Sequence, residues 1–168
     1  MRTILSCACA LGALLGCAEE GAPAPAARAE PAASAPVIVQ DRFSVRRSAS
    51  DAPATLARLF EALDRRELTV FAVIDHAANA EGIGEALPFS TVVIFGAPEA
   101  GTPLIRAVPL MGAALPLRAL VYEQDGETFL AVTGVDNLAR DVPPGAGGEV
   151  IDRMRDALRA LSDEVTSS

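Results

Sequence analysis

Apolar and polar positions alternate with changing period along this chain, and each change of period predicts an element. Val37-Ile38-Val39 and then Phe43-Ser44-Val45-Arg46-Arg47-Ser48 read as a first strand. Ser50 or Asp51 can cap a helix with Pro53 in its first turn, where the missing N–H costs little. Leu56, Leu59, Phe60 and Leu63 then recur at i, i+3, i+4 and i+7, the rhythm of an amphipathic helix that Asp64-Arg65-Arg66-Glu67 ends. Leu68 to Asp75 is a second strand, followed by one short helical turn from Asp75 to Ile83 that Gly82 and Gly84 close. Ser90-Thr91-Val92-Val93-Ile94-Phe95 is almost uninterrupted apolar chain, which predicts a strand covered on both faces. Gly96 to Gly101 reads as a loop, and Thr102-Pro103 as the start of a short helix carrying Leu104, Ile105 and Val108. Pro109 and Pro116 fence the following turn. Leu117 to Glu123 and Glu127 to Thr133 flank Gln124-Asp125-Gly126, a tight-hairpin signal because glycine supplies positive φ. A turn at Asp136 to Arg140 leads through Pro143-Pro144-Gly145 to a last helix from about Glu149 to Leu161. Its Val150, Met154, Leu158 and Leu161 form one apolar face.

The order β-α-β(4)-α, with short helical inserts, predicts an α+β domain over residues 38–164 with a tail at 165–168. In it, two long helices pack on one face of a largely antiparallel sheet of about five strands.

Residues 1–37 obey neither period. Met1-Arg2 is a short positive start, and Thr3 to Leu15 is apolar but shorter than the roughly 20 residues that span a bilayer core. Leu14-Leu15-Gly16-Cys17 resembles the lipobox of bacterial lipoproteins. That resemblance implies a signal peptide over residues 1–16, cleavage after Gly16, and lipid attachment at Cys17. Acyl groups there would tether the protein to a membrane, and two chains anchor stably where one does not. Ala18, rather than Asp, after the cysteine points to an outer-membrane anchor on the periplasmic side of the cell envelope. The other reading is an ordinary secretory signal cleaved near Ala22-Pro23-Ala24. Beyond Cys17 the chain to residue 37 is rich in Ala and Pro, and reads as a semi-extended spacer.

Composition narrows the classes of function. The chain carries a formal charge of −8, and its cations are all arginine. That balance excludes a nucleic-acid backbone as partner, which needs clustered cations. Cys7, Cys9 and Cys17 are the only cysteines, so the domain beyond them offers no disulfide, thiolate nucleophile or cysteine-bound metal.

Several segments in order resemble the family called "domain of unknown function 302": Phe71 to Ala80, Phe95 to Leu104, Leu115 to Glu123 and Gly134 to Ala139. The resemblance covers nearly all of residues 43–162. It implies a sheet-and-two-helix fold similar in outline to TATA-binding-protein-like domains, often dimeric, and implies no reaction. Where the family's loop reads Gly-Asn-Pro, this chain has Gly96-Ala97-Pro98, so no role for an amide carries over.

His76 is the only histidine, and so the only side chain whose ordinary pKa lies near neutrality. Two readings of its segment stand. In one, Asp75, His76 and Asn79 form a ligand pocket with Gly96, Pro98, Gly101 and Thr102 of the following loop. In the other, Asp75 caps the turn and His76 bonds to backbone. Ser90, Thr91 and Thr102 are hydroxyls without a nucleophile-elbow pattern, so no catalytic residue is assigned. One histidine with Met111 and Met154 makes a poor ligand set, so neither metal nor cofactor is assigned. The expectation is a non-enzymatic module of the cell envelope that binds a small ligand or a partner protein. The alternative is a metal- or redox-associated accessory protein or enzyme using His76. Edge strands of the sheet could also pair two copies into a homodimer.

Overall fold

A computed structural model describes residues 42–141 and 148–167. The signal peptide over 1–16, Cys17, the spacer, Val37-Ile38-Val39 and Pro143-Pro144-Gly145 lie outside the described residues. In chain order the elements are β1 (Phe43–Arg47), α1 (Ala52–Arg65), β2 (Thr69–Asp75), α2 (His76–Glu81), β3 (Ser90–Gly96), α3 (Pro98–Ala107), α4 (Met111–Ala114), β4 (Leu117–Gln124), β5 (Glu127–Thr133), α5 (Val135–Asp141) and α6 (Gly148–Thr166). The strands form one antiparallel five-stranded sheet in the order β1-β5-β4-β3-β2. The α+β architecture expected from the apolar pattern is therefore the one observed.

Caps and turns carry out what the residues at element ends predict. Asp51 caps α1, its side chain accepting from the Ala54 N–H at 2.9 Å, and Pro53 sits in the first turn. Asp125 and Gly126 have φ of +54° and +78°, which turns β4 into β5 through a two-residue loop. Thr55 is fully buried at the start of α1, where its hydroxyl meets the Ser48 hydroxyl at 2.7 Å and donates to the Asp51 carbonyl at 2.7 Å.

The core lies between the sheet and the two long helices. Leu59, Ala62 and Leu63 of α1 and Ile151, Leu158, Leu161 and Val165 of α6 pack on Val93, Phe95, Leu117, Ala119, Val121, Leu130 and Val132. Each buried leucine or valine contributes about 1.5–3 kcal/mol of transfer free energy. Ion pairs tie the helices to their surroundings: Glu164 accepts from Arg66 at 2.5 Å and also from Arg65, and Asp163 holds Arg46 at 2.6 Å.

Four sequence expectations need correction. α3 begins at Pro98, not at Thr102, because Pro98 takes the first-turn position that a proline tolerates; Pro103 then falls inside the helix. A short helix, α4, occupies the turn between Pro109 and Pro116. α6 runs on to Thr166 and takes in the first half of the expected tail. β3 is covered on one face only. Thr91, Val93 and Phe95 are buried under the helices, whereas Val92 and Ile94 point to the other face and are half-exposed. On that open face the register aligns Val45, Ala131, Leu120, Val92 and Ile74 in one apolar row across all five strands.

Candidate functional site: an apolar cavity between the helices

The antiparallel register brings the start of β2, the end of β3 and the start of β4 together, pairing Thr69 with Gly96 and Phe95 with Leu117. At this end of the sheet α3 leaves from Gly96-Ala97 and turns away, while α6 crosses above the sheet. The space between them is a cavity of about 990 Å³. Its floor is buried apolar surface: Phe95 and Leu117 from the sheet, Leu158 and Leu161 from α6. One wall is the α6 stripe of Val150, Met154 and Ala157 on successive turns. Facing it are α3, Leu115 and Pro116, and Leu68 and Phe71 stand on the β2 side. Phe71 is the extra residue of a bulge between Val70 and Ala72 and is half-exposed. Among the described residues, the polar side chains that line the cavity, Glu99, Thr102 and Arg153, stand on its exposed rim.

The volume is that of a site for a small organic molecule, and the walls suit an apolar body. Charge near the cavity is mostly committed elsewhere on α6. Arg155 pairs with Asp152 at 2.5 Å and with Asp136 at 2.9 Å, and these two partners raise its already high pKa. Glu164 is held below the usual glutamate range by hydrogen bonds from Arg66 and Arg65.

Gly96, Pro98, Gly101 and Thr102 all line the cavity. Asp75, His76 and Asn79 do not. β2 runs away from the cavity, so Asp75 pairs with Thr91 while Gly96 pairs with Thr69. The seven residues of β2 thus separate the two groups by about 20 Å. The register does not bring His76 and the Gly96–Thr102 segment together. At the far end Asp75 caps α2, accepting from the Ala78 N–H at 2.9 Å, as the capping reading anticipated. His76 opens α2 and is exposed, as is Asn79, and no hydrogen bond to the His76 ring occurs among the described residues. No three His, Cys, Asp or Glu side chains gather in a metal-binding group among the described residues.

Sequence reasoning missed the α6 wall, Leu68 and Phe71. The signal for the wall was present as the apolar stripe through Val150 and Met154, but a stripe does not reveal whether it meets side chains or a void.

Comparison with known proteins gives a family and a fold. "Fluoride-specific ion channel FluC 1" of Brucella suis biovar 1 is 32% identical over 115 residues, covering 68% of this chain and 42% of that protein. "Fluoride-specific ion channel FluC 2" of Brucella melitensis biotype 1 is 32% identical over 115 residues, with 40% of its length covered. The chain thus spans about two fifths of the curated relatives it matches. The crystal structure of an uncharacterized conserved protein DUF302 from Bacillus stearothermophilus matches with a TM-score of 0.66 at 17% identity. That match covers 73% of this chain and 97% of that one. A family model matches residues 43–161, and the chain belongs to the family "Domain of unknown function DUF302".

Proposed function

We propose that this protein is a non-enzymatic binding module of the cell envelope, lipid-anchored through Cys17, which takes a small apolar molecule into the cavity between α3 and α6. The observation that carries the reading is the cavity itself. About 990 Å³ bounded by Phe95, Leu117, Met154 and Leu161, and open to solvent at its mouth, is the volume of a site for a small organic molecule. Burying an apolar ligand there would remove apolar wall and apolar ligand from water together, at about 25 cal/mol per Å². The rim residues Glu99, Thr102 and Arg153 would contact whatever polar end the ligand keeps in solvent.

The envelope address rests on Leu14-Leu15-Gly16-Cys17 and the apolar segment before it. Two relatives that match 115 residues of this chain are named as fluoride-specific ion channels, and a lipid on Cys17 would put this domain beside a membrane.

Titration of the purified protein with N-phenyl-1-naphthylamine, an uncharged dye that brightens in apolar surroundings, tests the reading. Saturable binding of one dye per chain is expected. A linear, unsaturable rise in fluorescence would overturn it.

A further inference from the structure

The cavity's lining sorts ligands by where their polar atoms lie. Beyond the rim residues Glu99, Thr102 and Arg153, the described residues lining it bring only apolar side chains or none, and only Phe71 and Phe95 are aromatic. No side chain inside can meet a ligand's donor or acceptor, and a polar group buried without a partner is costly. An occupant must therefore keep its polar atoms at one end, at the mouth. Inside, Val150, Met154, Leu158 and Leu161 line one face of α6 with aliphatic surface, which suits an extended hydrocarbon chain. Met154 is unbranched and can adapt to the chain's path.

The mouth carries one anion and one cation, and they are not equally free. Glu99 lies in the first turn of α3, where the N-cap residue Ala97 supplies no side-chain hydrogen bond. The uncapped positive end of its own helix therefore offsets the Glu99 charge. Arg153 stands across the mouth on α6 and has no such compensation. Glu149 and Asp156 lie about one turn away on that helix, yet neither pairs with it, and Asp152 and Asp136 are taken by Arg155. Among the described residues the Arg153 guanidinium has no acceptor, and the Thr102 hydroxyl on the facing wall has no partner. Both are placed to donate to one head group. The chain's formal charge of −8 repels an anion at a distance. Salt screens that repulsion over about 8 Å at physiological ionic strength, which leaves contact at the mouth to decide.

We propose that the cavity takes an aliphatic chain ending in a carboxylate, with the chain along α6 and the carboxylate accepting hydrogen bonds from Arg153 and Thr102. The planar guanidinium fork matches a carboxylate with two parallel N–H···O bonds, so the head group gains orientation as well as charge pairing. This ligand class rests on the cavity's being a binding site, as proposed above.

Competition against N-phenyl-1-naphthylamine tests it, in the full chain with Cys17→Ser, which carries no acyl group of its own to compete. The competitors are dodecanoate, methyl dodecanoate and dodecylammonium, which share a chain length and differ in the head, each below its micelle-forming concentration at neutral pH. Dodecanoate should displace the dye at least about tenfold more tightly than its methyl ester, with dodecylammonium the weakest of the three. Arg153→Gln should remove the advantage of dodecanoate over the ester. Arg159→Gln, an exposed α6 arginine outside the cavity lining, should keep it. Dye bound with no preference for dodecanoate, a preference for dodecylammonium, or a dodecanoate preference that survives Arg153→Gln would reject the carboxylate and leave the cavity reading standing. A protein that takes up no dye would reject both together.

Discussion

Met154 sits half-buried on α6 between Val150 and Leu158, where its side chain faces the cavity as well as the core. A residue in that position can be changed without opening the core, because a long side chain can lay its stem along the apolar wall. Met154→Arg would place a guanidinium inside the cavity near Arg153. Its desolvation disfavours an apolar occupant far more than it disfavours the fold. The variant should bind the naphthylamine dye at least tenfold more weakly, which is about 1.4 kcal/mol, and its melting temperature should fall by only about a few degrees. Equal affinity in the parent and variant proteins would move the site elsewhere. At the same scale, Asp75 and His76 show what a sequence can and cannot say. A carboxylate three residues before an N–H predicts a cap, and the cap is there. Nothing in the residue types told which end of the sheet His76 occupies, because that depends on strand register across β2 and β3.

Between elements, the α1–α6 contact is fastened at its exposed end by Glu164 and the two arginines Arg65 and Arg66. These guanidiniums hold the Glu164 carboxyl below the usual glutamate range in the folded protein. As pH falls, the unfolded chain takes up its proton first. The stabilisation is therefore complete above the ordinary glutamate pKa and disappears as pH falls through the lower, folded value. Glu164→Gln should melt at a lower temperature than the parent at neutral pH, by a small margin because the pair is largely exposed. The two curves should converge below the ordinary carboxylate range. A difference that persists unchanged in acid would assign the effect to packing instead. Elements were also the scale at which the sequence was most legible. The 3.6-residue period of α1 and α6 and the Asp125-Gly126 hairpin were set by local chemistry. The coverage of β3 was not legible. Val92 and Ile94 are as apolar as Val93 and Phe95, but they point to the face of the sheet away from α1 and α6.

For the whole molecule, the N-terminal segment and the domain raise separate questions. If Cys17 is the anchor, a radioactive fatty acid fed to expressing cells should label the parent protein and not Cys17→Ala; an unlabelled parent would remove the anchor from the account. The domain's own role turns on the cavity, whose existence was illegible in the sequence because voids between helices leave no periodicity. Its wall residues were visible only as part of an apolar stripe, and Phe71 only as one residue of a strand. The most direct test follows the dye titration residue by residue in two-dimensional amide NMR spectra of the full chain. The cavity reading predicts progressive shifts at Phe71, Gly96, Gly101 and Ala157, with Asp75, His76 and Asn79 unmoved. Shifts gathered around His76, or none at all, would contradict it.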